Sequence, residues 1–273
     1  MSATNTYIAS CCCNDTNRIG IGSYSVSLGR AQPVQVCSLR SIVMRNVFYN
    51  VVSGGPRKNN IFYFNLGGTD YEITFSEGFW DINSLLAQLT AELESVFSGS
   101  GIIPLPTLTA LTYSSLNGKI TLVVDGNGVA TPFSLQGGTN QQSVNNLLGN
   151  TEDIDLDTLT PAPYTFDSLI NLGGVDAIYI RSQRIAPTTG IASRRNKEGA
   201  NMTLVKVVAN DAVFGGIIRY ETPDIDAEAF IYDSAGMSPS TIDFTFEDRE
   251  GNELDMSNSE AILEFQMWKK LER

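Results

Sequence analysis

The stretch from Ser240 to Trp268 constrains this chain more than any other. Ile242, Phe244 and Phe246 alternate with Thr241, Asp243, Thr245 and Glu247, which is the period of a strand with one face buried and the other in water. Asp248-Arg-Glu-Gly-Asn252 is turn chemistry with a glycine free to take a positive φ. Leu254, Met256 and then Ile262 to Trp268 return as further strand. The pattern predicts a terminal antiparallel pair closing an all-β sandwich. It holds no nucleophile, no metal-ligand set and no phosphate loop, so it points to a shell or a binder rather than a catalyst.

Composition supports that direction. At 273 residues the chain can build one large all-β domain or two smaller ones without disulfides. Only 18% of residues are charged, with 24 glycines and 10 prolines, a profile of many short strands joined by turns and too apolar for disorder. The formal net charge of −12 opposes nucleic acid and anionic membrane over most of a surface, so no direct sequence-specific nucleic-acid contact is expected. Histidine is absent, which removes the commonest general base, the usual partner of Ser and Cys nucleophiles, and the commonest metal ligand. The expectation is no enzyme, no cofactor and no metal. Residues 1–35 contain no apolar run of signal-peptide length, and no window of about 18 apolar residues could span a membrane.

Four cysteines occur, Cys11, Cys12, Cys13 and Cys37. Three in a row lack the spaced pairs of a zinc site and make a poor disulfide framework, so free thiols in a flexible arm and a reducing compartment are expected. An inter-subunit disulfide or a lipidated cysteine is the alternative. The sequons at Asn14 and Asn201 are read as chance.

Along the chain, residues 1–33 are rich in Ser, Asn, Thr and Gly and read as a flexible arm. Residues 34–52 read as one long or bent strand ended by Ser53-Gly-Gly-Pro56. Ile61–Leu66 and Tyr71–Phe75 form a hairpin about Gly67-Gly68. Asp81 then caps a helix on which Ile82, Leu85, Leu86, Leu89, Leu93, Val96 and Phe97 recur every three or four residues. Leu108–Tyr113 and Lys119–Val124 flank Asn117-Gly118, a hairpin signal, and a short helix is expected over 143–148. The order ββαββ describes a small α+β module, placed at 59–150. The acidic stretch Glu152–Asp157 and Thr160-Pro-Ala-Pro163 read as a boundary. Strands are expected again at 175–181, 203–209, 216–221, 228–232, 241–247 and 261–267.

Motifs that could carry chemistry fail on spacing. Asp153-x-Asp155-x-Asp157 opens like a calcium loop but lacks the glycine and the twelfth-position glutamate, which would fall at Tyr164, so a solvated acidic loop is expected. Gly118-Lys119 lacks the upstream glycine and following hydroxyl of a phosphate loop. Gly20-x-Gly22 neither follows a strand nor opens a helix, and no Gly-x-Ser-x-Gly elbow occurs. Phe62, Tyr63, Phe64, Phe79 and Trp80 read as core rather than a sugar platform. Charge layout says more. Arg181, Arg184, Arg194, Arg195 and Lys197 cluster in one segment, whereas Glu221–Glu264 carries many carboxylates, Asp248, Glu250, Glu253 and Asp255 among them, and one base, Arg249. A solvated loop is one reading; a head-to-tail contact between subunits, basic loop against acidic region, is the sharper one.

Three stretches taken in order resemble the penton (vertex) minor capsid proteins of virophages and related polinton-like and large double-stranded DNA viruses. They are Tyr71–Leu86, Leu116–Leu122 with Leu147-Leu-Gly149, and Phe244–Met256 with Phe265-x-x-Trp268. Ile178–Ser182 and Ala212–Ile218 also fit, and the similarity runs through most of residues 35–270. The resemblance implies a single jelly roll, residues 34–58 plus 160–273, interrupted by the module at 59–150. It further implies a homopentamer at the icosahedral five-fold vertices of the virion capsid, assembled inside the host cell. The implied partners are trimers of a double jelly-roll major capsid protein, with the arm tying beneath them, and a fibre or host receptor. A receptor- or carbohydrate-binding jelly roll is the alternative, and a carboxylate-dependent hydrolase a third reading.

Overall fold

A computed structural model describes residues 6–27, 36–182, 185–187, 202–209, 212–221, 229–232, 241–256 and 259–268. In chain order its strands are β1 (Thr6–Cys13), β2 (Ser23–Ser27), β3 (Val36–Arg45), β4 (Ile61–Leu66), β5 (Thr69–Thr74), β6 (Thr107–Ser114), β7 (Lys119–Asp125), β8 (Phe133–Gln136), β9 (Asp153–Leu156), β10 (Tyr164–Thr165), β11 (Ala177–Ser182), β12 (Ile185–Pro187), β13 (Met202–Val208), β14 (Ile217–Glu221), β15 (Ala229–Tyr232), β16 (Thr241–Glu247) and β17 (Ala261–Trp268). The helices are α1 (Ile82–Gly99) and α2 (Val144–Leu147). Two compact units result, Met1–Phe48 with Val175–Arg273, and Tyr49–Gly174.

The first unit is a sandwich of two antiparallel sheets. One runs β1-β17-β3-β15-β12, with β14 sharing the free edge of β3: β14 pairs with Ser41–Arg45 and β15 with Val36–Ser38. The other runs β13-β11-β16-β2. Period-2 patterning puts Leu263 and Phe265 on the inner face of the first sheet, and a bulge at Arg40 brings both Leu39 and Ile42 to that face opposite them. Tyr24, Ile178, Ile180, Phe244 and Phe246 line the inner face of the second, in one buried core. Phe244 stacks on Phe265 across the sandwich, with centroids 5.7 Å apart and planes at 17°.

β16 and β17 do not pair with each other, which corrects the expected terminal pair. β16 lies between β11 and β2, and β17 between β1 and β3. The connection passes from one sheet to the other. It folds back on β16 through the Glu247–Glu253 bridge, in which the Leu254 N–H donates to the Phe246 carbonyl and the Asp248 N–H to the Asn252 carbonyl. Leu254 and Met256 are buried without forming a strand.

The expected flexible arm is corrected over two stretches. β1 pairs with β17 along its whole length, from Thr6 opposite Trp268 to Cys13 opposite Ala261, and β2 pairs with β16. Cys11 and Cys13 enter the core, while Cys12 faces outward and is half-buried. The thiols are free, but they belong to a strand, not an arm. Burial pushes the Cys11 thiol up to about 12 and the Cys13 thiol higher still. Cys37 lies in β3.

In the second unit α1 presents Leu85, Leu86, Leu89, Leu93 and Phe97 to a core shared with sheets β5-β4-β8-β9 and β10-β7-β6. Asp81 caps it as expected, accepting from the Asn83 and Ser84 N–H groups. The β6–β7 hairpin closes through a four-residue loop, with Ser114 opposite Lys119 and Gly118 at φ 67°. The chain passes between units after Phe48 and after Gly174, not at the expected 58 and 160. The second boundary moves because the stretch read as an acidic boundary is strand β9, paired with β8, and β10 pairs with β7.

Buried asparagines hold this unit together where no strand partner is at hand. Asn145 accepts from the Tyr63 N–H at 2.8 Å and donates to the Tyr63 carbonyl at 2.9 Å, completing the edge of β4 as a neighbouring strand would. Asn50 does the same for Trp80 and also donates to the Leu172 carbonyl at 3.0 Å.

Two outcomes follow. Phe265→Ala removes the side chain that stacks on Phe244 and should cost about 3–5 kcal/mol in urea unfolding; a loss below about 1 kcal/mol would show that the two sheets do not depend on that contact. In native protein at pH 8, alkylation followed by peptide mass mapping should label Cys12 well ahead of Cys11 and Cys13. Equal labelling of all three would contradict the pairing of β1 with β17.

Candidate assembly surfaces

The residues expected to form a charged contact are placed as follows. Arg181 Nε lies 2.9 Å from Glu247 Oε2, both side chains largely buried, on paired strands β11 and β16. Asp248 is buried and orders its own turn, accepting from the Asn252 N–H at 2.8 Å and the Asn252 side-chain amide at 2.9 Å. Glu253 accepts from the Gly22 N–H at 3.1 Å and the Ser23 hydroxyl at 3.2 Å. Asp255 pairs with Arg18 at 3.0 Å. Four of the nine therefore have partners inside their own unit, and Glu250 is exposed. Arg184, Arg194, Arg195 and Lys197 lie outside the described residues.

The carboxylates at 253 and 255 hold the loop that leads into β2. Gly22 sits so close to the chain at Phe246 and Leu254 that a Cβ there would fall 2.6 Å from the Leu254 carbonyl oxygen, and the Phe246 N–H donates to the Gly22 carbonyl. Arg18 Nε donates back to the Gly20 carbonyl at 2.8 Å. The Gly20-x-Gly22 pair, which fails as a nucleotide motif, is needed for this close approach.

On the outer face of the β1-β17-β3-β14 sheet, paired residues form rows. Ser10, Glu264, Ser41 and Glu221 make a polar row, in which the Ser41 hydroxyl donates to Glu264 at 2.9 Å. Two positions along, Cys12, Ile262, Val43 and Arg219 make a mostly apolar one. There Val43, Val47, Ile217 and Ile262 line an open cavity of about 520 Å3, with Arg45 and Glu260 beside them. Sequence reading missed this surface because Val43 and Ile262 continue runs that are otherwise core.

Elsewhere the acidic groups serve local structure. Asp153 and Asp157 each order a separate turn. Asp153 accepts from the Thr139 hydroxyl and the Thr139 and Gly138 N–H groups, and Asp157 from the Thr160 hydroxyl and the Thr160 and Leu159 N–H groups. Among the described residues no group of three or more His, Cys, Asp or Glu side chains is placed to hold a metal ion. Hydrogen bonds from Thr139 to Asp153, from Thr160 to Asp157 and from Ser84 to Asp81 hold these carboxyls below the usual range. Each folded-state value then lies below an unfolded value near ~3.9. The stability they contribute is complete above the unfolded value and is lost as pH falls through the folded ones. The urea midpoint should therefore drop on acidification below about pH 4, and Asp153→Asn should flatten that dependence. A midpoint unchanged down to pH 3 would contradict it.

No protein-family model matches the chain, and no curated protein matches it in sequence. Among solved structures, the mavirus penton protein aligns over 97% of this chain and 99% of its own, with a TM-score of 0.52 and 10% sequence identity. A chain of the Sputnik virophage aligns over 97% and 98% at 11% identity, but its TM-score of 0.41 adds nothing to the assignment of the fold. The molecule is a strand-dominated jelly roll carrying an inserted α+β module, and it shares that fold with the mavirus penton protein.

Proposed function

We propose that this chain is a structural capsid protein that forms homopentamers at icosahedral five-fold vertices. The observation that carries the reading is the end-to-end alignment with the mavirus penton protein, which spans the sandwich and its insertion together. Charge is consistent with it, since a net charge of −12 suits a shell component that makes protein contacts rather than one that grips the genome. The mechanism has no catalytic step. Each subunit offers two different surfaces, and a contact between unlike surfaces closes into a ring when its rotation is one fifth of a turn. In the particle the ring would sit among trimers of a double jelly-roll major capsid protein. A fibre or host receptor is a further partner for its exposed side, and assembly would take place in the host cell.

Sedimentation of the purified full chain tests this directly. The expected species has about five times the 29.6 kDa mass of the chain. A monomer at every concentration, or a closed oligomer of another order, would overturn the reading.

A further inference from the structure

The outer face of an antiparallel sandwich ordinarily carries polar side chains at alternate positions. The β1-β17-β3-β14 sheet follows that rule at Ser10, Glu264, Ser41 and Glu221 and breaks it at the cavity, where Ile217 is 53% and Ile262 37% exposed. A second apolar exposure lies on the loop before β2, where Ile19 and Ile21 are 68% and 59% exposed. That loop is anchored at both ends. Arg18 is held by Asp255, and Gly22 by Glu253 and by its packing against Leu254 and Phe246. An apolar loop already fixed in shape loses little conformational entropy on docking.

A preformed apolar projection and a cavity walled on one side by Val43, Val47, Ile217 and Ile262 are unlike surfaces of one unit, as a head-to-tail contact requires. We infer that the Ile19–Ile21 loop of one copy seats in the Val43–Ile217–Ile262 cavity of the next, and that repetition of this contact closes the ring. The inference rests on the ring-forming reading above and adds the surfaces that make it. Charge favours the same docking. Asp15 lies exposed beside the loop, 3.9 Å from Arg18, while Arg45 lies exposed on the rim of the cavity and Arg219 lies exposed opposite Val43. Glu260 shares the rim, so apolar burial supplies the contact and the arginines orient it.

The test uses two full-length variants at exposed positions, Ile19→Asp with Ile21→Asp, and Ile217→Asp with Ile262→Asp. Circular dichroism and melting temperature confirm that each is folded. At a concentration where the unsubstituted chain sediments as a ring, each variant alone should sediment as a monomer. An equal mixture should give a one-to-one dimer and stop there, because one intact loop meets one intact cavity and no second pair remains. Rings that persist in either variant would overturn the inference while leaving the pentamer reading intact, and would assign the cavity to another occupant, such as a neighbouring capsid protein. A mixture that stays monomeric would also overturn it, since loop and cavity would then not be partners. An unsubstituted chain that is itself a monomer removes the ring reading, and this inference with it.

Discussion

β17 is hydrogen-bonded on both sides, to β1 and to β3, and the rest of the sandwich depends on that double pairing. A strand held along both edges has no backbone donors or acceptors left over, and its register decides which side chains point inward. Slipping it by one residue would exchange Leu263 and Phe265 for Ile262 and Glu264 on the core face. That would separate Phe265 from Phe244 in the opposite sheet. β17 draws β1 into the first sheet, and β16 draws β2 into the second. The short segment between β1 and β2 thus changes sheets, as does the segment between β16 and β17, and the two are clasped through Arg18–Asp255 and Gly22–Glu253. The clasp that completes the fold is also what fixes Ile19 and Ile21 in place.

The insertion leaves the sandwich after Phe48 and returns at Val175, and it has a core of its own. Helix α1 supplies the largest apolar stripe in it. Asn50 and Asn145 supply backbone partners that its short strands cannot. Leaving such buried donors and acceptors unmatched would cost about 1–3 kcal/mol each, so these asparagines are as much part of the core as the phenylalanines beside them.

Much of this was legible in the sequence. The helix at Asp81, the hairpins about Gly67-Gly68 and Asn117-Gly118, and strands β11, β13, β14 and β16 follow from periodicity and turn chemistry that act locally. The misses share one physical cause, dependence on a distant partner. β1 reads Thr-Tyr-Ile-Ala-Ser-Cys-Cys-Cys, too polar and irregular to announce a strand until β17 lies beside it. β9 alternates aspartate with Ile154 and Leu156 and looks like an acidic linker until β8 pairs with it. Asn50 and Asn145 look like ordinary loop polars because their role lies in backbone far along the chain. Glu253 and Asp255 were legible as acids, but the contacts they make with Arg18, Gly22 and Ser23 were not. The apolar cavity could have been suspected from Val43 and Ile262, whose positions in alternating strands place them opposite the core.

We propose that this fold serves as a five-fold vertex capsomer whose ring is made by the sandwich unit. Electron cryomicroscopy of the purified protein would decide it. The expected result is five-fold symmetric rings in which neighbouring sandwiches touch through the face bearing Val43, Ile217 and Ile262. Isolated single sandwiches, or rings of any other symmetry, would contradict it.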